Sequence, residues 1–165
     1  MNDRPYRLNV GAVVFNRNGL VLVARRADVP NAFEGPPGGW QLPQGGIDAD
    51  EDPRKAVKRE LQEEIGTDKA EILAEYPEWL EYDFPPHLRA HIARRYRGQR
   101  QRWFALRFIG KDSDIRLDQD PHPEFDAWRW APLSELPALA VDFKRPIYEE
   151  LARAFSPFAT ADLGD

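Results

Sequence analysis

Residues 45–67 read GGIDADEDPRKAVKRELQEEIGT and contain one helix with both of its ends marked. Asp52 is a favourable N-cap and Pro53 suits the first helical position. Gly66 provides a stop just past Ile65. The stretch therefore predicts a helix over residues 52–65. At about 100° per residue, Val57, Leu61 and Ile65 form an apolar stripe. Glu60, Glu63 and Glu64 cluster beside that stripe, with Glu64 nearest to Val57 and Leu61, while Lys55, Lys58, Arg59 and Gln62 take the remaining face. The three carboxylates are thus expected at the edge of the core. Like charges one turn apart cost roughly 0.2–0.5 kcal/mol on an exposed helix, and more when partly buried. A hard divalent cation such as Mg²⁺ or Mn²⁺ reverses that sign, because it prefers oxygen ligands. Read alone, Glu-Leu-Gln-Glu-Glu also describes an ordinary charged surface helix. The flanking Gly45-Gly46 turn, and Glu51 placed between it and Arg59-Glu60, weigh against that plainer reading.

Outward from the helix, Leu8–Phe15 and Leu20–Ala24 read as strands joined by the turn Asn16-Arg17-Asn18-Gly19. Residues 28–39 are rich in Pro and Gly and predict a loop. Residues 40–44 predict a short strand. Ala70–Asp83 reads as strand bent at Pro77, Pro85–Tyr96 as a short helix, and Gln101–Ile109 and Phe125–Trp130 as strands. An amphipathic helix closes the chain over Lys144–Phe155, with Ile147, Leu151 and Ala154 on one side. Trp128 and Trp130, two apart in a strand, are expected to share a face in the core. Strands interleaved with a few helices predict an α/β domain: a mixed β-sheet sandwiched between α-helices.

The 165 residues suit a single domain with one substantial core, spanning about 6–155 and followed by a short frayed tail from Ser156. The absence of cysteine excludes disulfides, thiolate nucleophiles and Cys-rich zinc sites. No stretch approaches the ~18–20 apolar residues that span a bilayer, and Met1–Arg7 lacks the apolar core of a signal peptide. The expectation is a soluble, cytoplasmic protein, taken as a monomer, with no membrane partner. A net charge of −5 argues against a general nucleic-acid coat protein.

The spacing Gly45, Glu51, Arg59-Glu60-Leu61, Glu63-Glu64 and Gly66 resembles the signature box of the Nudix hydrolases. Thr67 is the one departure, standing where the family usually has an aliphatic residue, and it is not an expected ligand position. The likeness continues through Tyr6-Arg7, Trp40 to Gly46, Gly98-Gln99, Trp103-Phe104, Pro123-Glu124-Phe125, Trp128-Arg129-Trp130 and Phe143-Lys144. Together these resemble the subgroup containing bacterial RNA 5′-pyrophosphohydrolases and plant-type diadenosine tetraphosphate (Ap4A) hydrolases.

That resemblance implies the Nudix fold and metal-dependent hydrolysis of a phosphoanhydride, with Mg²⁺ or Mn²⁺ as cofactor and more than one ion once substrate is bound. It implies Glu60 and Glu64 as metal ligands, with Gly45 supplying a carbonyl. Glu63 is either a ligand or a base. Glu124 either binds metal or acts as general base, and is placed ahead of Glu63 for the latter. Arg59 orients a box carboxylate. Arg7, Arg26, Lys144 and Gln44 are candidates for gripping polyphosphate, each with surface charge or polarity as the plainer alternative. Phe143 and Tyr82 are candidates for stacking on a base, with core packing as theirs.

His87–Lys111 contains seven arginines and no acid, a local asymmetry that would attract polyphosphate or RNA, or would simply balance acidic neighbours. His87, His91 and His122 show no convincing zinc spacing and are expected at the surface. The expected activity is removal of pyrophosphate from 5′-triphosphorylated RNA. The alternatives are asymmetric cleavage of Ap4A to ATP and AMP, or a non-catalytic nucleotide-binding module. A calcium-binding helix fails for want of the Asp-rich 12-residue loop.

Overall fold

A computed structural model describes residues 3–27, 39–86 and 92–160. Among these residues, eight strands form one sheet: β1 (Tyr6–Phe15), β2 (Val21–Arg26), β3 (Trp40–Gln41), β4 (Gln44–Gly46), β5 (Ala70–Glu75), β6 (Leu80–Asp83), β7 (Gly98–Phe108) and β8 (Phe125–Ala131). The main path runs β3-β2-β1-β7-β5, with β4 also on β1, β6 on β7 and β8 on β2. β1 and β7 pair in parallel along their whole length, from Tyr6 opposite Gly98 to Phe15 opposite Arg107, and the other pairings are antiparallel. The helices are α1 (Pro53–Ile65), α2 (Ile92–Arg95), α3 (Leu136–Leu139) and α4 (Arg145–Ala154).

Alternation along β1 divides the core. Val10, Ala12 and Val14 pack with Phe104, Leu106 and the α1 residues Ala56, Val57, Leu61 and Ile65. Val13 and Phe15 point the other way, toward Trp103, Leu136, Ile147, Tyr148 and Leu151. The mixed sheet is therefore covered by α1 on one face and by α3 and α4 on the other. Gly11 lies where the Trp103 ring crosses β1, leaving no space for a Cβ.

Several boundaries differ from the sequence reading. The segment 40–44 divides into β3 and β4 at Pro43, which cannot donate to a ladder. β7 begins at Gly98, earlier than expected, because its first residues pair with β6. Of the helix expected over 85–96, the described part is only Ile92–Arg95. Phe84 still bonds as an extended residue, its N–H donating to the Arg97 carbonyl at 2.8 Å; residues 87–91 lie outside the described residues. The described part of the tail, residues 156–160, also differs from the expected fraying, and residues 161–165 lie outside the described residues. Ser156–Phe158 forms a 3₁₀ turn, and Phe158 packs against Phe15 and Phe155, so apolar contact holds residues that were expected to fray. Trp128 and Trp130 are partly buried against the α1-side core, edge to face at 5.7 Å.

Because the Trp103 ring fills the space above Gly11, Gly11→Ala must displace it. The expected result is a loss of about 1–3 kcal/mol of stability, read as a lowered denaturation midpoint with an unchanged urea slope.

Candidate active site

The helix that carries the acids is built as its ends require. Asp52 Oδ1 accepts from the Arg54 N–H at 2.9 Å, Pro53 opens the first turn, and Gly66 closes the helix in the left-handed conformation at φ 77°. Glu64 falls on the buried side with Val57 and Leu61 and is only 6 % exposed. Neither of its carboxylate oxygens meets a hydrogen-bond donor among the described residues. Burial raises its pKa well above the ordinary carboxylate value, and the neighbouring Glu124 and Glu60 raise it further. Glu60 is also shifted upward by burial, with its contact to Arg59 opposing the shift.

Arg59 is the hub of the adjoining loop. Its guanidinium donates to both oxygens of Glu51 at 2.8 Å, to the Gly46 carbonyl at 2.8 Å, to Glu60 at 3.0 Å and to Glu63 at 3.2 Å. The Glu51 carboxyl is held down to about 2 by Arg59, helped by the Asp48 backbone N–H. One side chain thereby ties the 46–51 loop to the acidic side of α1. Glu63 remains half exposed at the outer edge. On the inner edge, β4 passes so near Glu60 that a Cβ at Gly45 would overlap its carboxylate. Glycine at this position lets the strand backbone lie against the acids.

Cations gather nearby. A bulge between Arg25 and Arg26 ends the β2–β8 ladder, and the Ala27 N–H donates to the Glu124 carbonyl at 2.9 Å. This brings Arg26 beside Glu124. Lys144, in the 3₁₀ turn before α4, is buried, and its ammonium lies 5.5 Å from the Tyr82 ring centre. Burial lowers its pKa to about 8; Arg26 adds to the shift and Glu124 opposes it. Arg7 rests against Gly46 and is also close to Tyr82. Glu124 is thus within electrostatic reach of two groups of like charge: it raises Glu64 together with Glu60, and it opposes the effect of Arg26 on Lys144.

Tyr82 is 7 % exposed, and its ring meets Phe143 at 5.5 Å and Phe84 at 5.8 Å. Its ring is therefore packed into the core, whereas Phe143 is only partly buried. Gln44 accepts from Gln101 at 3.2 Å. The described arginines of the basic run mostly face partners within the fold: Arg97 pairs with Asp83, Arg100 with Glu81 and Arg102 with Glu75, while Arg107 donates to the Asn16 carbonyl. Arg94 and Arg95 are exposed. Arg89, His87 and His91 lie outside the described residues, and His122 is exposed. Sequence reasoning missed the buried polar residues Asn9, Gln99 and Gln101 beneath this site. Their signal was the polar pair at i and i+2 on the inward side of β7.

The donor set suits a hard cation. Carboxylates raised by mutual repulsion and burial, two of their oxygens without partners, would be relieved by a divalent ion. Among the described residues, no group of three acidic or imidazole side chains forms a ready-made cage.

A family model described as the NUDIX domain matches residues 5–151. The RNA pyrophosphohydrolase of Acidiphilium cryptum is 65% identical over 159 residues, covering 96% of this chain and 94% of the relative. That of Gluconacetobacter diazotrophicus is 58% identical over 159 residues, covering 95% of each. Among solved structures, a C. elegans Ap4A hydrolase binary complex aligns with a TM-score of 0.65 at 21% identity, over 92% of this chain and 96% of that one. The E. coli dihydroneopterin triphosphate pyrophosphohydrolase gives 0.63 at 21% identity, over 92% and 99%. The structural likenesses establish a shared fold, and the family match together with the near relatives establishes more: this chain belongs to the Nudix hydrolase family.

Proposed function

We propose that this enzyme is an RNA 5′-pyrophosphohydrolase, removing pyrophosphate from triphosphorylated RNA ends. The observation that carries this reading is that buried or half-buried acids, Glu64 and Glu60, and buried or half-buried cations, Lys144 and Arg26, meet at Glu124. A polyphosphate with its cations is the ligand that neutralises both groups at once. The substrate is chosen by kinship, since relatives at 48–65% identity matching nearly full length bear the name RNA pyrophosphohydrolase. Cytoplasmic placement belongs to the same reading. No helix among the described residues is long and apolar enough to cross a membrane.

Glu60 and Glu64, the Gly45 carbonyl, Glu63 and Glu124 are the groups that would hold Mg²⁺ or Mn²⁺, more than one ion with substrate bound. The ions would supply charge neutralisation at phosphate and a more acidic water. Arg59 keeps Glu60 and Glu63 in place through its fork of contacts. Arg7, Arg26 and Lys144 bind phosphate oxygens, and Gln44 and the Tyr82 hydroxyl donate to them. Phe143, partly exposed, stacks on the first base. Glu124 accepts the proton of the attacking water as the bond to the leaving pyrophosphate breaks. It is better suited than Glu63, which Arg59 holds at the outer rim. A groove at the β1–β2 turn, lined by Asn18, Leu20, Leu133 and Ala159, carries no ionisable side chain and offers nothing to polyphosphate.

Rates with Mg²⁺ on a short 5′-triphosphorylated RNA and on Ap4A, with products identified, test the substrate. Faster release of pyrophosphate from RNA is expected. Preferential conversion of Ap4A to ATP and AMP would replace this reading with dinucleotide hydrolysis, for which the internal pairing of Arg97, Arg100 and Arg102 leaves room.

Two variants test the site. Glu64→Gln should lower turnover by about a hundredfold or more, yet raise the melting temperature of the metal-free protein, because a buried unpartnered charge is removed. Mg²⁺ should stabilise the parent far more than the variant. Lys144→Met should raise KM by about tenfold without lowering the melting temperature, since its charge is buried at a cost. A large thermal loss with unchanged kinetics would assign Lys144 to structure alone.

A further inference from the structure

Beneath Gln44 and Tyr82 lies a chain of buried amides whose direction is fixed by one group. Trp103 Nε1–H is a donor and nothing else, and it donates to Gln101 Oε1 at 3.1 Å. The Gln101 amide nitrogen must therefore point away from it. That nitrogen donates to two acceptors, Asn9 Oδ1 at 2.9 Å and Gln44 Oε1 at 3.2 Å. Asn9 then presents its own nitrogen to Gln99 Oε1 at 2.8 Å. Gln99 in turn presents its nitrogen to the Tyr82 hydroxyl at 2.8 Å. Asn9, Gln99, Gln101 and Trp103 are all buried, so water does not scramble the order.

Each amide has one accepting end and one donating end, and each could in isolation face either way. The indole removes that freedom along both branches. At one end the Gln44 oxygen is occupied from within, which turns its NH₂ toward the Tyr82 hydroxyl and leaves one of its two N–H groups for a further acceptor. At the other end the Tyr82 oxygen accepts from Gln99, so its hydrogen cannot go to Gln99 and is directed elsewhere. Arg7 lies beside that hydroxyl, and Gln44 lies beside it as well. Terminal phosphate oxygens only accept, so a site for them needs donors. Glutamine and tyrosine are ambivalent, and an acceptor turned toward phosphate would repel it.

We propose that Trp103, Gln101, Asn9 and Gln99 are positioning residues that polarise Gln44 and Tyr82 as donors toward the substrate's phosphates. The chain rests on the reading of these two groups as phosphate contacts. It adds four residues that never touch substrate.

The test is a double-mutant cycle on binding of inorganic tripolyphosphate, measured by calorimetry without added divalent metal, so that no turnover intervenes. Tyr82→Phe removes the terminal hydroxyl, and Gln99→Met cuts the chain while conserving volume. Each should weaken binding by about tenfold. The double variant should bind no worse than Tyr82→Phe, because Gln99 acts only through that hydroxyl. A merely structural Gln99 would lower the melting temperature equally in both backgrounds and leave affinity alone. Wild-type affinity in Gln99→Met or in Tyr82→Phe would overturn the proposal, as would losses that multiply in the double variant. If Gln99→Met does not fold, Asn9→Ala cuts the same branch one link earlier and is held to the same outcomes. The binding pattern is separate from the reaction: the expected cycle in a protein inactive on triphosphorylated RNA would uphold the relay and refute the proposed function.

Discussion

Glu64 is a carboxylate folded into the edge of the core with neither oxygen met by a donor among the described residues, and the arrangement of the site follows from that cost. Its place on the buried side of α1, one turn from Leu61 and two from Val57, is dictated by helical period. The packing that holds it there is the whole α1-side core: Val10, Ala12 and Val14 of β1, and Phe104 and Leu106 of β7. Burial therefore keeps the acid in an environment where only a proton or a cation relieves it. Stability is given up locally for a group that is useful only when something else arrives.

Arg59 and Glu51 perform the complementary task. Their bidentate contact, with the further bonds to Gly46, Glu60 and Glu63, fixes the entry loop against the helix. Acids tied to Arg59 stay ordered, while Glu64 is left without an internal counter-ion. Across Glu124, the proximity of Arg26 to buried Lys144 repeats the pattern in the opposite sign. Two groups of like charge side by side are unfavourable in the protein alone and favourable around a metal-bound polyanion.

Much of this was legible in residues 45–67. The caps at Asp52 and Gly66 and the inward turn of Glu64 follow from local rules, and the structure has both. The mixed sheet between helices was also readable from the β-rich runs, Leu8–Phe15 and Gln101–Ile109 among them, interleaved with a few helices. What escaped notice depended on tertiary pairing. The early start of β7 at Gly98 exists because β6 lies beside it. The docking of Phe158 needs Phe15, far away in sequence. The parallel register that sets Asn9 opposite Gln101 is invisible until both strands are aligned. Tyr82 reads as an aromatic platform in sequence, yet Phe84, Phe143 and Lys144 surround its ring, which closes it to a stacking base.

The most direct test of this account is anomalous diffraction from crystals of the protein grown with Mn²⁺ and a non-hydrolysable 5′-triphosphate. The account predicts manganese between Glu60, Glu64 and Glu124, with at least one Glu64 oxygen as a ligand and the phosphates reaching toward Lys144. Manganese confined to the exposed acids of the 48–52 loop, with Glu64 still without a partner, would contradict it.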